Sequence, residues 1–112
     1  MDDPLFITKQ KPGYKLVIQL TELDRLNEEN DNVDVNVYFD EGPSYSATFF
    51  TLKNIQALME RYKSTRECLS GLYFYSSDLI IVERLTIENI EQTVSDLIDN
   101  DEVRSSFKQL KA

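Results

Sequence analysis

The chain has 112 residues, of which 41% are hydrophobic and 29% are charged, and its net charge is −8. This length supports one folded domain with its own core. Three glycines, three prolines and one cysteine exclude collagen-like, low-complexity and disulfide-scaffold classes. The negative charge argues against nucleic acid and anionic membranes as partners, because both attract cationic surfaces.

No apolar run approaches the roughly 20 residues that a membrane-spanning helix needs. The N-terminal residues 1–4 also lack the basic start and the apolar stretch of a signal peptide. We therefore expect a cytoplasmic protein without a membrane partner.

The first half of the chain predicts an extended arm, a strand and a hairpin. Residues 1–13 lack periodicity, which is typical of an extended arm. Residues 14–20 alternate apolar and polar side chains and predict a half-buried strand. Residues 21–31 are mostly polar and favour either a short helix or an acidic loop. Residues 33–50 alternate on both sides of a turn and predict a β-hairpin.

The second half predicts a helix, a hairpin and another helix. Thr51 is placed to cap the first helix. Its apolar stripe comprises Leu52, Ile55, Leu58, Met59 and Tyr62. After Gly71, residues 72–82 predict a second hairpin. Thr86 is placed to cap the second helix, and residues 101–110 predict a short C-terminal helix.

The two halves show an internal similarity. A shift of 35 residues pairs 37–56 with 72–91, and five of the twenty pairs are identical. We interpret this similarity as a pseudo-repeat of two structural units, residues 33–65 and residues 72–99.

These elements predict an α+β fold in the order β-ββα-ββα, plus the short C-terminal helix. We expect a largely antiparallel five-stranded sheet, with the two main helices packed on one face. Residues 1–13 form the arm and residues 14–112 a single domain. Phe39 and Phe74, which are equivalent in the repeat, are expected at matching core positions beneath the helices.

Few side chains are available for catalysis or metal binding. The chain has no histidine and one cysteine, which excludes zinc sites and catalytic triads. The glycines stand apart, so no phosphate-binding loop is present. The acidic stretches lack the glycine and the spacing of an EF-hand calcium loop. We therefore expect no enzymatic activity, no cofactor and no metal site.

Cys68, the single cysteine, allows two interpretations. Arg66 lies two residues away and would favour a nucleophilic thiolate. A lone cysteine is more often a small apolar residue packed at the end of a helix. We expect the packed role, in which Cys68→Ser leaves any activity unaltered.

Acidic residues are concentrated in two stretches. Residues 22–41 carry a net charge of −7 and residues 83–102 a net charge of −6, so the remainder is +5. Such a distribution serves solubility, or it steers a basic partner by long-range attraction. If it steers a partner, we expect the partner-binding acids to be Glu28, Glu29 and Asp31.

The open face of the sheet is a second candidate surface. Alternation in the first hairpin turns Tyr38 outward, and the repeat turns Tyr73 and Tyr75 outward as well. The last predicted strand is apolar at every position, so Leu79 and Ile81 should share that face. Unless another element covers it, such a patch is expected to bind a partner or a second copy of the chain.

The leading hypothesis is a non-enzymatic protein-binding module, such as an immunity-type inhibitor or an accessory subunit that covers a basic partner. In size and acidic charge the chain is similar to many bacterial immunity proteins and small inhibitor proteins. One alternative is a small-molecule binding domain, with its pocket under the helices or on the open sheet face. Another is an acidic mimic of nucleic acid that blocks a DNA- or RNA-binding protein.

Overall fold

The computed structural model describes residues 6–20 and 26–110. Its strands are β1 (Phe6–Lys11), β2 (Tyr14–Gln19), β3 (Asn32–Phe39), β4 (Ser44–Phe50), β5 (Leu79–Ile81) and β6 (Lys108–Gln109). Its helical segments are α1 (Leu52–Thr65), α2 (Glu67–Gly71), α3 (Ile87–Asp99) and α4 (Val103–Ser106).

The strands form one sheet in the order β1-β2-β3-β4-β5, and β6 also pairs with β4. Every pairing is antiparallel except that of β4 with β5, which is parallel. The predicted α+β class and the largely antiparallel sheet are therefore confirmed, as is the hairpin formed by β3 and β4. Within the described ranges, no helix is long and apolar enough to cross a membrane.

Part of the predicted arm forms β1, an edge strand of the sheet. Lys11 pairs with Tyr14 across a two-residue turn, Pro12-Gly13, in which Gly13 has a φ of +87°. Ile7 packs against the core from β1. Lys9 lies on the same side of the strand and is exposed, and a lysine on an edge strand discourages pairing with another chain.

The core lies between one face of the sheet and α3. Alternate residues of the central strands are buried on this face: Leu16, Ile18, Val33, Val35, Val37, Tyr45, Ala47 and Phe49. From α3, Ile90 and Val94 pack against them and are fully buried. Thr86 caps α3 as predicted, because its side chain accepts a hydrogen bond from the Asn89 N–H.

The first long helix, α1, lies outside this core. Thr51 caps it as predicted, yet none of its residues is buried and none belongs to the core cluster. Phe50 follows the core residue Phe49 and points to the opposite face of the sheet, where its ring lies 5.2 Å from that of Phe74. The helix therefore belongs to a connection, residues 51–78, that departs from β4 and returns to the parallel strand β5.

The predicted second hairpin is not formed. Residues 72–75 are not in a strand, and β5 pairs in parallel with β4 rather than antiparallel with residues 72–75. The expectation that Phe74 matches Phe39 in the core is also wrong, because Phe39 packs against the core cluster whereas Phe74 packs on Phe50. The internal repeat as a whole stays a prediction.

The remaining predicted helices differ in length from the expectation. The described residues of the acidic stretch, 26–31, form a loop, and residues 21–25 lie outside the described ranges. The predicted C-terminal helix is shorter than expected, because α4 ends at Ser106 and the chain then joins the sheet as β6. The side chain of Glu102, the N-cap residue of α4, makes no capping hydrogen bond.

Candidate interaction surfaces

Exposed apolar side chains are concentrated in the connection between β4 and β5. Among the described residues, seven large hydrophobic side chains are exposed, and one of them, Phe6, lies on β1. The other six define what we call the crossover surface: Leu52, Leu69, Leu72, Tyr73, Tyr75 and Ile81. Leu52, at the start of the connection, and Ile81, on the strand β5 that follows it, line the same surface cavity.

The contact between Phe74 and Phe50 organises the middle of this surface. Phe74 is half-buried against Phe50, and its two neighbours, Tyr73 and Tyr75, are 48% and 75% exposed. Because Phe74 anchors the segment to the sheet, both tyrosines are presented to solvent.

A strained turn carries Leu69. Cys68, Leu69 and Ser70 have φ values of 49°, 52° and 57°, which is the left-handed region. This conformation costs an L-residue about 1–2 kcal/mol, and successive residues rarely adopt it. Gly71 completes the turn against the backbone carbonyl of Met59, where a Cβ atom would clash. Leu69 is held in this turn with 71% of its surface exposed.

The helical part of the connection, residues 52–71, has a net charge opposite in sign to that of the whole chain. Residues 52–71 contain four basic side chains, Lys53, Arg61, Lys63 and Arg66, and two acidic ones, Glu60 and Glu67. Their net charge is therefore +2, within a chain of −8. A segment of net positive charge thus carries Leu52 and Leu69 in a mostly acidic protein. Two of its bases are paired with glutamates, Lys53 with Glu29 and Lys63 with Glu60.

The predicted sheet-face residues do not form a single patch. Tyr73, Tyr75 and Ile81 belong to the crossover surface. Leu79 is half-buried on β5 beside Thr48 of β4. Tyr38 lies on β3, two strands away from β5, where its hydroxyl accepts a hydrogen bond from Asn36.

The sheet face around Tyr38 is polar. The ammonium group of Lys15 lies 5.3 Å from the centre of the Tyr38 ring. On the same face, the hydroxyl of Thr48 donates a hydrogen bond of 2.9 Å to the carboxylate of Asp34. This central part of the face is typical of a sheet surface in contact with water.

Two of the three predicted partner-binding acids form surface ion pairs within the chain. Glu28 pairs with Arg84 at 2.8 Å, and Glu29 pairs with Lys53 at 3.9 Å. About half or more of each of these four side chains is exposed. Exposed pairs of this kind contribute little to stability.

The third predicted acid, Asp31, shapes the loop itself. Its carboxylate accepts hydrogen bonds from the backbone N–H groups of Asn27, at 3.1 Å, and Asn32, at 2.8 Å. Asn54 of α1 ties the same loop through hydrogen bonds with Asn30 and Asn32. These contacts give Asp31 a structural role, and its role in binding a partner stays a prediction.

A cavity of about 500 Å³ lies between α3, the β1–β2 turn and the end of β3. Its lining combines aromatic, aliphatic and charged residues: Lys11, Pro12, Gly13, Tyr14, Phe39, Glu91, Ser95, Ile98 and Asp99. Burial raises the pKa of the Tyr14 phenol above its usual value, an effect that Lys11 opposes and that Glu91 and Asp99 reinforce.

The described residues, 6–20 and 26–110, contain no cluster that could hold a metal ion. Such a cluster would need three or more histidine, cysteine, aspartate or glutamate side chains.

Comparisons of the chain with protein-family models, with curated proteins and with solved structures found no match. The crossover surface, the acidic loop and the cavity beside α3 are therefore the features from which a function is inferred.

Proposed function

We propose that this chain is a non-enzymatic protein-binding module and that the crossover surface is its interface. The observation that carries the proposal is the concentration of five exposed large hydrophobic side chains in the connection between β4 and β5, with a sixth, Ile81, on β5 itself. A concentration of exposed apolar surface is typical of interaction sites, and aromatic side chains are enriched in interfaces. Two tyrosines and three leucines supply that composition here.

The strained turn supports the same proposal. A left-handed conformation is unfavourable for a bulky residue, and exposure removes any packing energy that would offset the cost. Leu69 has both disadvantages, so its position has no benefit for the stability of the isolated chain. Contact with a partner would supply that benefit, because the leucine side chain would then be buried.

The position of α1 is a further argument. Its apolar residues Ile55, Leu58, Met59 and Tyr62 are only half-buried, and the helix contributes nothing to the core. Most helices in folded domains gain their stability from an apolar face packed on other elements. A protein that covers the crossover surface would complete this packing.

The local charge selects the kind of partner. The net positive charge of residues 52–71 favours a partner surface that combines apolar and acidic side chains. A symmetric dimer through this surface would bring two segments of net positive charge together, which is unfavourable. We therefore propose a different protein as the partner, with the chain acting as an inhibitor or an accessory subunit.

Affinity capture from the native host with three forms of the chain tests this proposal. The wild type should recover a stoichiometric partner, and Leu72→Lys/Tyr75→Lys should lose it. Phe6→Lys is the matched control, since Phe6 is exposed but lies outside the crossover surface, and it should retain the partner. Binding must then be repeated with the purified partner, after thermal unfolding has shown that all three forms are folded.

Equal binding by the wild type and the crossover variant would overturn the proposal. Failure to recover a stoichiometric partner with the wild type would also count against it. Size-exclusion chromatography with light scattering distinguishes the remaining outcome, a homodimer, because the wild type would then have twice the mass of Leu72→Lys/Tyr75→Lys.

A further inference from the structure

The cavity beside α3 has a chemistry distinct from that of the crossover surface. Two aromatic rings form one side, with the centres of Tyr14 and Phe39 6.0 Å apart at an interplanar angle of 54°. Ile98 adds an aliphatic surface from α3. Such a lining, mostly apolar with a few polar groups, is typical of sites that bind small molecules.

The charged residues of the cavity leave one negative charge unbalanced. Lys11 forms an ion pair of 3.3 Å with Glu91. The carboxylate of Asp99 has no hydrogen bond or ion pair with any of the described residues. Glu91, Ser95 and Asp99 are spaced four residues apart, so they follow one edge of α3 along the cavity.

Asp99 also lies where the helix disfavours it. The last turn of α3 contains no basic residue, and both Asp96 and Asp99 lie within it. The C-terminal end of a helix carries a partial negative charge, so carboxylates there are destabilising by several tenths of a kcal/mol. The electrostatic potential at this end of the cavity is therefore more negative than the carboxylate of Asp99 alone would produce.

We propose that this cavity binds a small organic cation, with one positive charge on an apolar or aromatic body. Its charged group would lie near Asp99, and its apolar body would pack against Tyr14, Phe39 and Ile98. The faces of the two aromatic rings also attract a cation. Because Lys11 is paired with Glu91, only the carboxylate of Asp99 is available to a ligand. The cavity therefore favours a ligand with one positive charge over a ligand with two.

The size of the cavity favours a small molecule over a single side chain of a partner protein. Its volume of about 500 Å³ falls within the range of roughly 300–1,000 Å³ that holds drug-sized ligands. The proposal is independent of the crossover surface, which lies in the connection on the other face of the sheet. The two can therefore fail separately.

Benzamidine is a suitable probe, because it carries one cation on an aromatic ring. Benzamide, which is neutral and nearly isosteric, is the matched control ligand. We expect benzamidine, but not benzamide, to shift the backbone amide resonances around Tyr14, Phe39 and Asp99 in spectra of the full ¹⁵N-labelled chain. Asp99→Asn should weaken benzamidine binding by about tenfold or more, the effect of losing one favourable charge contact.

Glu88→Gln is the control variant, since it removes the same charge from α3 but does not line the cavity. It should leave the affinity for benzamidine within about twofold of the wild type. The proposal is wrong if benzamide binds as well as benzamidine, if Asp99→Asn binds as well as the wild type, or if neither ligand shifts these resonances. It is also wrong if an arginine-containing peptide shifts them and benzamidine does not, because the cavity would then serve a protein partner.

Discussion

The hydroxyl of Thr51 donates a hydrogen bond of 2.8 Å to the backbone carbonyl of Glu29. The same oxygen accepts a hydrogen bond of 3.2 Å from the Asn54 N–H, and the Thr51 residue is 1% exposed. One side chain therefore caps α1 and holds the acidic loop against the start of that helix. Thr86 caps α3 in the same way, but no second hydrogen bond of its hydroxyl is found within the described part of the chain.

This difference predicts unequal effects of the same substitution. Thr86→Val removes a cap and should lower the free energy of unfolding by about 1 kcal/mol. Thr51→Val removes the cap and also leaves the Glu29 carbonyl without its donor, so we expect a loss of about 2–3 kcal/mol. Urea unfolding of the two variants measures the difference. Equal losses would show that the bond to Glu29 contributes nothing.

Substitutions in the acidic loop should show which carboxylates stabilise the loop and which contribute only negative charge. Glu28→Gln/Glu29→Gln removes two exposed ion pairs and should change the unfolding free energy by less than about 1 kcal/mol. Asp31→Ala should lower it by about 1–2 kcal/mol, because the backbone N–H groups of Asn27 and Asn32 lose a charged acceptor. If the two glutamates steer a basic partner, the double variant should also associate more slowly at low salt. An unchanged association rate would assign both glutamates to solubility.

Gly71 should be essential to the shape of the crossover surface. A Cβ atom there would clash with the Met59 carbonyl, and the φ of +82° is unfavourable for any other residue. Gly71→Ala should therefore lower the unfolding free energy by several kcal/mol or displace residues 66–75. Gly42→Ala is the control, since its Cβ atom would meet nothing within 4 Å at a φ of +106°. Equal stability losses in the two variants would show that backbone strain alone, without the clash, is responsible.

Leu69→Asn should weaken partner binding without lowering the stability of the chain. Asparagine tolerates the left-handed region better than leucine, so the unfolding free energy should stay constant or rise by up to about 1 kcal/mol. Affinity for the captured partner should fall by about tenfold, because an exposed apolar side chain of the interface is lost. A variant that is less stable and binds normally would contradict both parts of this prediction.

Local sequence patterns predicted the elements that depend on local interactions. The alternation in β3 and β4 requires one buried face, and the two capping threonines require helix starts at residues 52 and 87, where the structure has them. The β1–β2 hairpin was not predicted, although Pro12-Gly13 is a typical turn sequence. We expected an extended arm because residues 6–11, which precede this turn, show only weak apolar alternation.

Residues 72–75 show why the rest of the fold and the crossover surface could not be predicted from the sequence. The sequence Leu-Tyr-Phe-Tyr has high strand propensity, but strand formation depends on an available neighbour. The edge of β4 is taken by β5 and β6, and the left-handed turn at residues 68–71 directs the chain back with Phe74 on Phe50. Leu69 and Leu72 therefore become surface residues, although their sequence context favoured a helix end and a strand.

The central claim, that the crossover surface binds a partner protein, is tested most directly by the affinity of the purified partner for Tyr73→Lys/Ile81→Lys. Both residues are about half exposed, so the double variant should fold with nearly wild-type stability. Isothermal titration calorimetry should show an affinity about a hundredfold lower than that of the wild type, whereas Phe6→Lys should bind normally. A folded Tyr73→Lys/Ile81→Lys variant that binds the partner with wild-type affinity would contradict the claim.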